Sequence, residues 1–163
     1  MLRCGVIPLL FLDVDGPLIP FGDRPGGHPD YGEPGGSNPL LSRIDPEHGR
    51  RLSALPCDLV WATAWVDDAN DQIALRLGLP SLPVVRWPEA DERPGLHWKT
   101  RTLVAWAGER AFVWVDDEIT DADSEWVAAT HPAPALLHRV DARMGLTDAD
   151  FALIGEWARG LGR

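Results

Sequence analysis

Apolar residues fall along this chain in short, near-continuous runs separated by amphipathic stretches. Runs over residues 8–13, 58–63, 82–87, 111–116 and 135–140 read as β-strands, and most lack an alternating polar face, as strands covered on both sides do. Pro8 donates no ladder hydrogen bond, so the first strand starts there. Helical spacing occupies residues 46–55, 67–77, 97–107 and 121–129, with Gly78 and Gly108 as stops. A last helix opens on the capping-box-like pair Thr147 and Asp150, and sets Phe151, Ile154, Trp157 and Leu161 three and four residues apart on one face. Strand and helix alternate, which predicts an α/β fold: a parallel five-stranded sheet with helices on both faces. No repeat or composition break divides the chain, and residues 1–163 read as a single domain.

One stretch breaks the pattern. Residues 20–39 carry six glycines and five prolines, which excludes a regular helix or a central strand. Loops beyond about 12 to 15 residues are uncommon in compact domains unless they serve a function or are disordered. This one leaves the end of the first strand, so it is placed either to fold over whatever that strand presents, through Phe21, His28 and Tyr31, or to be a mobile surface insertion.

Composition narrows the class. A chain of 163 residues can bury roughly 70% of its unfolded surface without metals or disulfides. The short run Val6 to Leu12 ends in an acid with no cleavage pattern behind it, and no segment approaches the ~20 apolar residues of a membrane span, so a soluble, cytoplasmic protein is expected. Cys4 and Cys57 read as buried free thiols. The net charge of −10 weighs against non-specific nucleic-acid binding, although Arg43 with Arg50 and Arg51 can contact an end phosphate. Of 15 basic residues, Lys99 is the sole lysine, and a lysine kept where arginine is used everywhere else suggests a need for a compact point charge.

The strand ends carry the chemistry. Asp13 and Asp15 follow the first apolar run, Thr63 ends the second, Lys99 opens a helix, and Asp116 and Asp117 end the fourth. Ligands of open α/β sheets bind beyond the carboxyl ends of the strands. Phosphate monoesters resist water strongly enough that enzymes supply accelerations up to ~10²¹-fold, by aligning a nucleophile, neutralising the equatorial oxygens and protonating the leaving oxygen. In this set Asp13 is the candidate nucleophile and Asp15 the candidate general acid and base. Thr63 and Lys99 are the candidate phosphate ligands, and Asp116 and Asp117 offer the hard oxygens that Mg²⁺ prefers.

Asp13-Val14-Asp15-Gly16, Val60-Trp61-Ala62-Thr63, Lys99 and Trp114-Val115-Asp116-Asp117 resemble the four motifs of the haloacid dehalogenase (HAD) superfamily, mostly Mg²⁺-dependent phosphatases, over most of the chain. The resemblance implies a three-layer Rossmann-like core with the first strand central, an aspartyl-phosphate on Asp13, and metal held by Asp13, Asp116 and the backbone carbonyl of Asp15. The acid at position 15 separates the chain from the dehalogenase-like branch. The intervals where the family inserts cap domains are filled by elements that the core needs, so a capless member with a large substrate or a partner is expected. The Asp-Val-Asp-Gly start and Trp-Ala-Thr second motif are also similar to HAD domains of RNA repair proteins, which makes a nucleic-acid end phosphatase the alternative substrate class. A non-catalytic HAD-fold domain that binds a partner is the alternative from a different class.

Of the eight tryptophans, Trp61 and Trp114 read as packing within strands. Trp65, Trp87 and Trp98 lie beside motifs, where core packing is the simpler assignment and base stacking the sharper one. His97 reads as a helix-leading surface histidine.

Overall fold

The computed structural model describes residues 7–32, 38–89 and 94–163. Cys4 and residues 33–37 of the Gly/Pro-rich stretch lie outside them. Four strands, β1 (Leu9–Leu12), β2 (Asp58–Trp61), β3 (Phe112–Asp116) and β4 (Ala135–Arg139), form one parallel sheet in the order β2-β1-β3-β4. Leu12 pairs with Trp61 on one side and Val115 on the other, so β1, β2 and β3 run out at one level. Asp13 N donates to Val115 O at 3.1 Å and Ala62 N to Leu12 O at 2.9 Å, carrying that alignment one residue past the strand ends.

Alternation along the strands sorts the core into two layers. Leu10, Leu12, Trp61, Val113 and Val115 pack with Leu52 of α1 (Glu47–Ser53), Leu77 of α2 (Leu75–Leu77) and Phe151 and Ile154 of α5 (Asp148–Gly160). Leu9, Phe11, Val60, Phe112 and Trp114 pack with Leu103 of α3 (Thr100–Ala107) and Val127 of α4 (Asp121–Thr130). Both faces are therefore covered, which is why the strands read as continuous apolar runs. Burial of each such large side chain is worth about 1.5–3 kcal/mol. Thr147 and Thr120 cap α5 and α4 through reciprocal bonds with Asp150 and Asp123.

The expected fifth strand over 82–87 is not formed. Val84 makes a single parallel bridge with Trp61, in which Trp61 N donates to Pro83 O and Val85 N to Trp61 O, each at 2.9 Å. Pro83 has no N–H to extend the ladder, and Pro88 follows. Asn70 serves in its place, accepting from Trp61 Nε1 at 2.8 Å and Leu82 N at 2.9 Å while donating to Leu82 O at 2.9 Å. Asn70 lies in a π-helical stretch, Ala69–Ala74, that runs into α2 and stops at Gly78, whose φ of 67° is left-handed. The helix expected from residue 97 begins at Thr100, because His97 and Lys99 are used in the turn before it.

Candidate active site

The aligned strand ends bring together acids that lie a hundred residues apart. Asp13, Asp116 and Asp117 each present a carboxylate oxygen within 4.8 Å of the others. Between two of them sits the lone lysine: Lys99 Nζ lies 2.8 Å from Asp116 Oδ2 and 3.2 Å from Asp13 Oδ1, and it donates to Ala62 O at 2.9 Å. An ammonium has three donors, so all three are occupied by protein atoms. Lys99 is only 3% exposed. It bridges the ends of β1 and β3.

Burial pushes the Asp13 carboxyl up to about 7, with Lys99 opposing and Asp116 adding to the rise. Asp117 is pushed up to about 6 by burial and then by Asp116. One ammonium is too little positive charge for three converging acids, and the hard oxygen donors that remain suit a divalent cation. Both Asp116 oxygens accept one hydrogen bond, Oδ2 from Lys99 and Oδ1 from Glu118 N at 3.0 Å, which leaves a lone pair on each. Asp117 packs against Gly16, whose φ is 101° and where a Cβ would stand 2.7 Å from Asp117 Oδ1. Glycine here permits both the left-handed turn and the approach of the acid.

Asp15 is not one of these three acids and is exposed on the turn that follows β1. Gly16 N donates to Ile19 O at 2.9 Å and Ile19 N to Val14 O at 3.0 Å, closing that turn, and Pro17 fits within it while its carbonyl accepts from Leu146 N at 2.9 Å. The Asp15 carboxylate is held from the second motif: Trp65 Nε1 donates to its Oδ2 at 3.0 Å. Thr63 is buried, its Oγ1 accepting from Trp65 N at 3.2 Å and its carbonyl accepting from Trp87 Nε1 at 2.9 Å. Neither of these bonds uses its hydroxyl proton.

Three expectations are corrected here. Trp65 and Trp87 are half-buried and pack on the edges of the two core layers as expected, but Trp98 is 43% exposed and is not a core residue. The His97 side chain is 8% exposed, not a surface group. Its ring stacks on Trp98 and meets Trp114 edge-on, with Nδ1 accepting from Lys99 N at 3.1 Å and Nε2 lying 2.9 Å from Glu118 Oε2. Phe21 and Tyr31 are exposed. Tyr31 borders a cavity of about 270 Å³ with Arg24, Arg43, Asp45 and His48, and none of Asp13, Asp15, Asp116 and Asp117 lines it.

Asp123 is a supporting residue that the sequence reading passed over. Fully buried, it accepts from Thr100 Oγ1 at 2.7 Å, His97 N at 2.8 Å and Thr120 N at 2.9 Å, tying the turn that carries Lys99 to the start of α4. The signal was present as Thr120-x-x-Asp123, a capping spacing. Asp121 is exposed at the first turn of α4 and is not one of the three clustered acids.

No curated protein and no solved structure matches the chain. The family model described as the HAD domain in Swiss Army Knife RNA repair proteins matches residues 9–151, from the start of β1 into α5 and across all four motifs. The chain therefore belongs to the HAD superfamily, in the family of HAD domains found in Swiss Army Knife RNA repair proteins.

Proposed function

We propose that this domain is a Mg²⁺-dependent phosphomonoester hydrolase acting through an aspartyl-phosphate on Asp13. The observation that carries the reading is the convergence of Asp13, Asp116 and Asp117 within 4.8 Å of one another, with a buried ammonium between Asp13 and Asp116. Asp13, Asp116 and Asp117, with the Asp15 carbonyl, would hold Mg²⁺, which would supply positive charge to the phosphoryl oxygens and keep these acids ionised.

The chain's own residues account for the proton and bond changes. An Asp13 oxygen attacks phosphorus, forming the acyl-phosphate bond as the ester P–O bond breaks, and Asp15 delivers its proton to the departing oxygen. Asp15 then takes a proton from water, whose oxygen attacks the same phosphorus and releases phosphate with Asp13 restored. Thr63 donates its hydroxyl to a phosphoryl oxygen. Lys99 balances the charge that passes between Asp13 and the phosphoryl group.

The segments after the first and second motifs contribute α1, the π-helical stretch and α2 to the core, which supports a capless, open site. An open site suits a large substrate, and membership in a family named for RNA repair favours a phosphorylated nucleic-acid end over a small metabolite. The Asp13→Asn variant tests the chemistry. It is expected to lose turnover of an aryl phosphate with Mg²⁺ in excess, and retained turnover would remove Asp13 as the nucleophile.

A further inference from the structure

We propose that Trp98, backed by Trp87, is the surface on which the terminal base of a single-stranded nucleic acid stacks while its end phosphate occupies the Asp13–Lys99 site. This rests on the hydrolase reading for the position of the phosphate and adds the residue that selects the leaving group. The Lys99 ammonium lies 5.3 Å from the centre of the Trp98 ring and 5.9 Å from that of Trp87, so a phosphoryl group brought to Lys99 arrives against indole. Trp98 and Trp87 meet edge to face with centroids 4.9 Å apart.

Two features separate this wall from incidental surface aromatics. The first is its rigidity: Trp87 Nε1 is spent on Thr63 O and Trp65 Nε1 on Asp15, so these indoles are bolted to the motifs, and Trp98 is held by the His97 ring at 5.4 Å. A pre-ordered aromatic surface binds with little loss of side-chain freedom. The second is its exposure. Trp98 keeps 43% of its surface in solvent at the mouth of the site, in a chain that buries Trp61 and Trp114 completely or nearly so.

Charge decides which kind of nucleic-acid contact this is. With a net charge of −10, the chain is poorly equipped to track a phosphate backbone, and stacking supplies affinity without cationic side chains. A free end presents a base face, whereas a duplex hides its bases in the stack. A phosphotyrosine would bring an aromatic ring to the same phosphate, so a phosphopeptide is the rival to exclude.

The test uses the full chain carrying Asp13→Asn, with Mg²⁺ present, and reads binding of labelled single-stranded hexanucleotides by fluorescence anisotropy. The hexanucleotides carry a 3′- or a 5′-phosphate, with the terminal residue either intact or abasic. Stacking on aromatic side chains is worth about 1–3 kcal/mol per base, so adding Trp98→Ala should weaken binding of the better intact end roughly tenfold or more, and that of its abasic counterpart far less. Trp98→Phe should restore most of the affinity. Trp106→Ala, another exposed indole but one packed on Phe11, serves as the control and should change nothing. The salt dependence should be shallow, corresponding to about one or two phosphates at roughly 0.7 per phosphate. Equal weakening of intact and abasic ends, no weakening at all, or tighter binding of a phosphotyrosine peptide would each overturn the proposal. Turnover by the unmutated protein reads the other claim separately: if it hydrolyses no ester, the hydrolase reading fails while the binding difference still decides the role of Trp98.

Discussion

Val66 has φ of 44°, a left-handed conformation that a β-branched residue adopts only under compulsion. Such strain costs on the order of 1–3 kcal/mol and persists where the surroundings over-determine it. What it accompanies here is the placement of its neighbour: the backbone of Trp65 bonds to Thr63 Oγ1, and its indole reaches across to Asp15. On the proposed mechanism Asp15 delivers a proton in one direction, and it would gain from a donor that fixes its orientation. Replacing Trp65 by Phe keeps an aromatic ring but removes the Nε1 donor together with the five-membered ring that carries it. Hydrogen bonds to charged groups are worth about 1.5–3 kcal/mol, so kcat for an aryl phosphate should fall roughly 10- to 100-fold with KM little changed. The pH profile should move as well, which loss of packing alone would not produce. A fall confined to KM, or none, would leave Trp65 as a wall residue only.

At the scale of elements, what positions the site is the close approach of helices to the sheet and to one another. Gly49 on α1 lies against the end of α2, where a Cβ would stand 1.8 Å from the Leu77 carbonyl oxygen. That obstacle is backbone and cannot rotate away, so Gly49→Ala should cost about 1–3 kcal/mol or more in urea unfolding. Asp123 provides the corresponding tie on the opposite face. Although burial works to raise its pKa, hydrogen bonds from Thr100, Thr120 and His97 hold its carboxyl below the usual range. A depressed acid contributes stability that is fully present above its ordinary pKa of 3.8 and is lost as pH falls through the lower folded value. Asp123→Asn should therefore melt well below the unmutated protein at pH 7, with the gap narrowing toward pH 3. A gap independent of pH would mean that the charge of Asp123 is not what matters.

These elements also show what could be read in advance. Strands buried on both faces announce themselves as apolar runs, and an acid at such a run's end is conspicuous, so Asp13, Asp116 and the sheet around them were legible in the sequence. Thr147 and Asp150 were legible because a cap is local chemistry. The segment 82–87 misled because apolar content outweighed the missing N–H of Pro83, and the π-helical turn escaped because its apolar spacing barely differs from that of an α-helix over six residues. The tryptophans beside the motifs could be read only as far as two alternatives, packing or stacking. Whether Trp98 faces the core or the solvent depends on a turn in which His97 supplies a side-chain acceptor to the Lys99 backbone, and no spacing rule carries that information.

For the molecule as a whole, the acidic cluster is a cost that a bound cation would relieve. Asp13 at about 7 and Asp117 at about 6 sit above the ordinary 3.8. For a raised acid the contribution to stability is complete below the unfolded pKa and is lost as pH climbs through the folded value. The metal-free protein should therefore lose stability from this cluster between about pH 4 and pH 7, as acids that are comfortable when protonated are forced to ionise. On the proposed function, Mg²⁺ would bind the ionised acids and not the unfolded chain, and would stabilise by mass action, by about 2.7 kcal/mol at a hundredfold excess over its Kd. The two effects have opposite dependence on pH. The increment in melting temperature produced by millimolar Mg²⁺ should be small at pH 5 and grow through pH 7, where each cation displaces fewer protons. Asp116→Asn removes a carboxylate from the cluster and one partner of Lys99, and should flatten both the metal increment and its pH dependence. An increment of the same size at pH 5 and pH 8, or one that survives Asp116→Asn, would place the stabilising cation elsewhere on this strongly acidic surface and separate the cluster from metal binding.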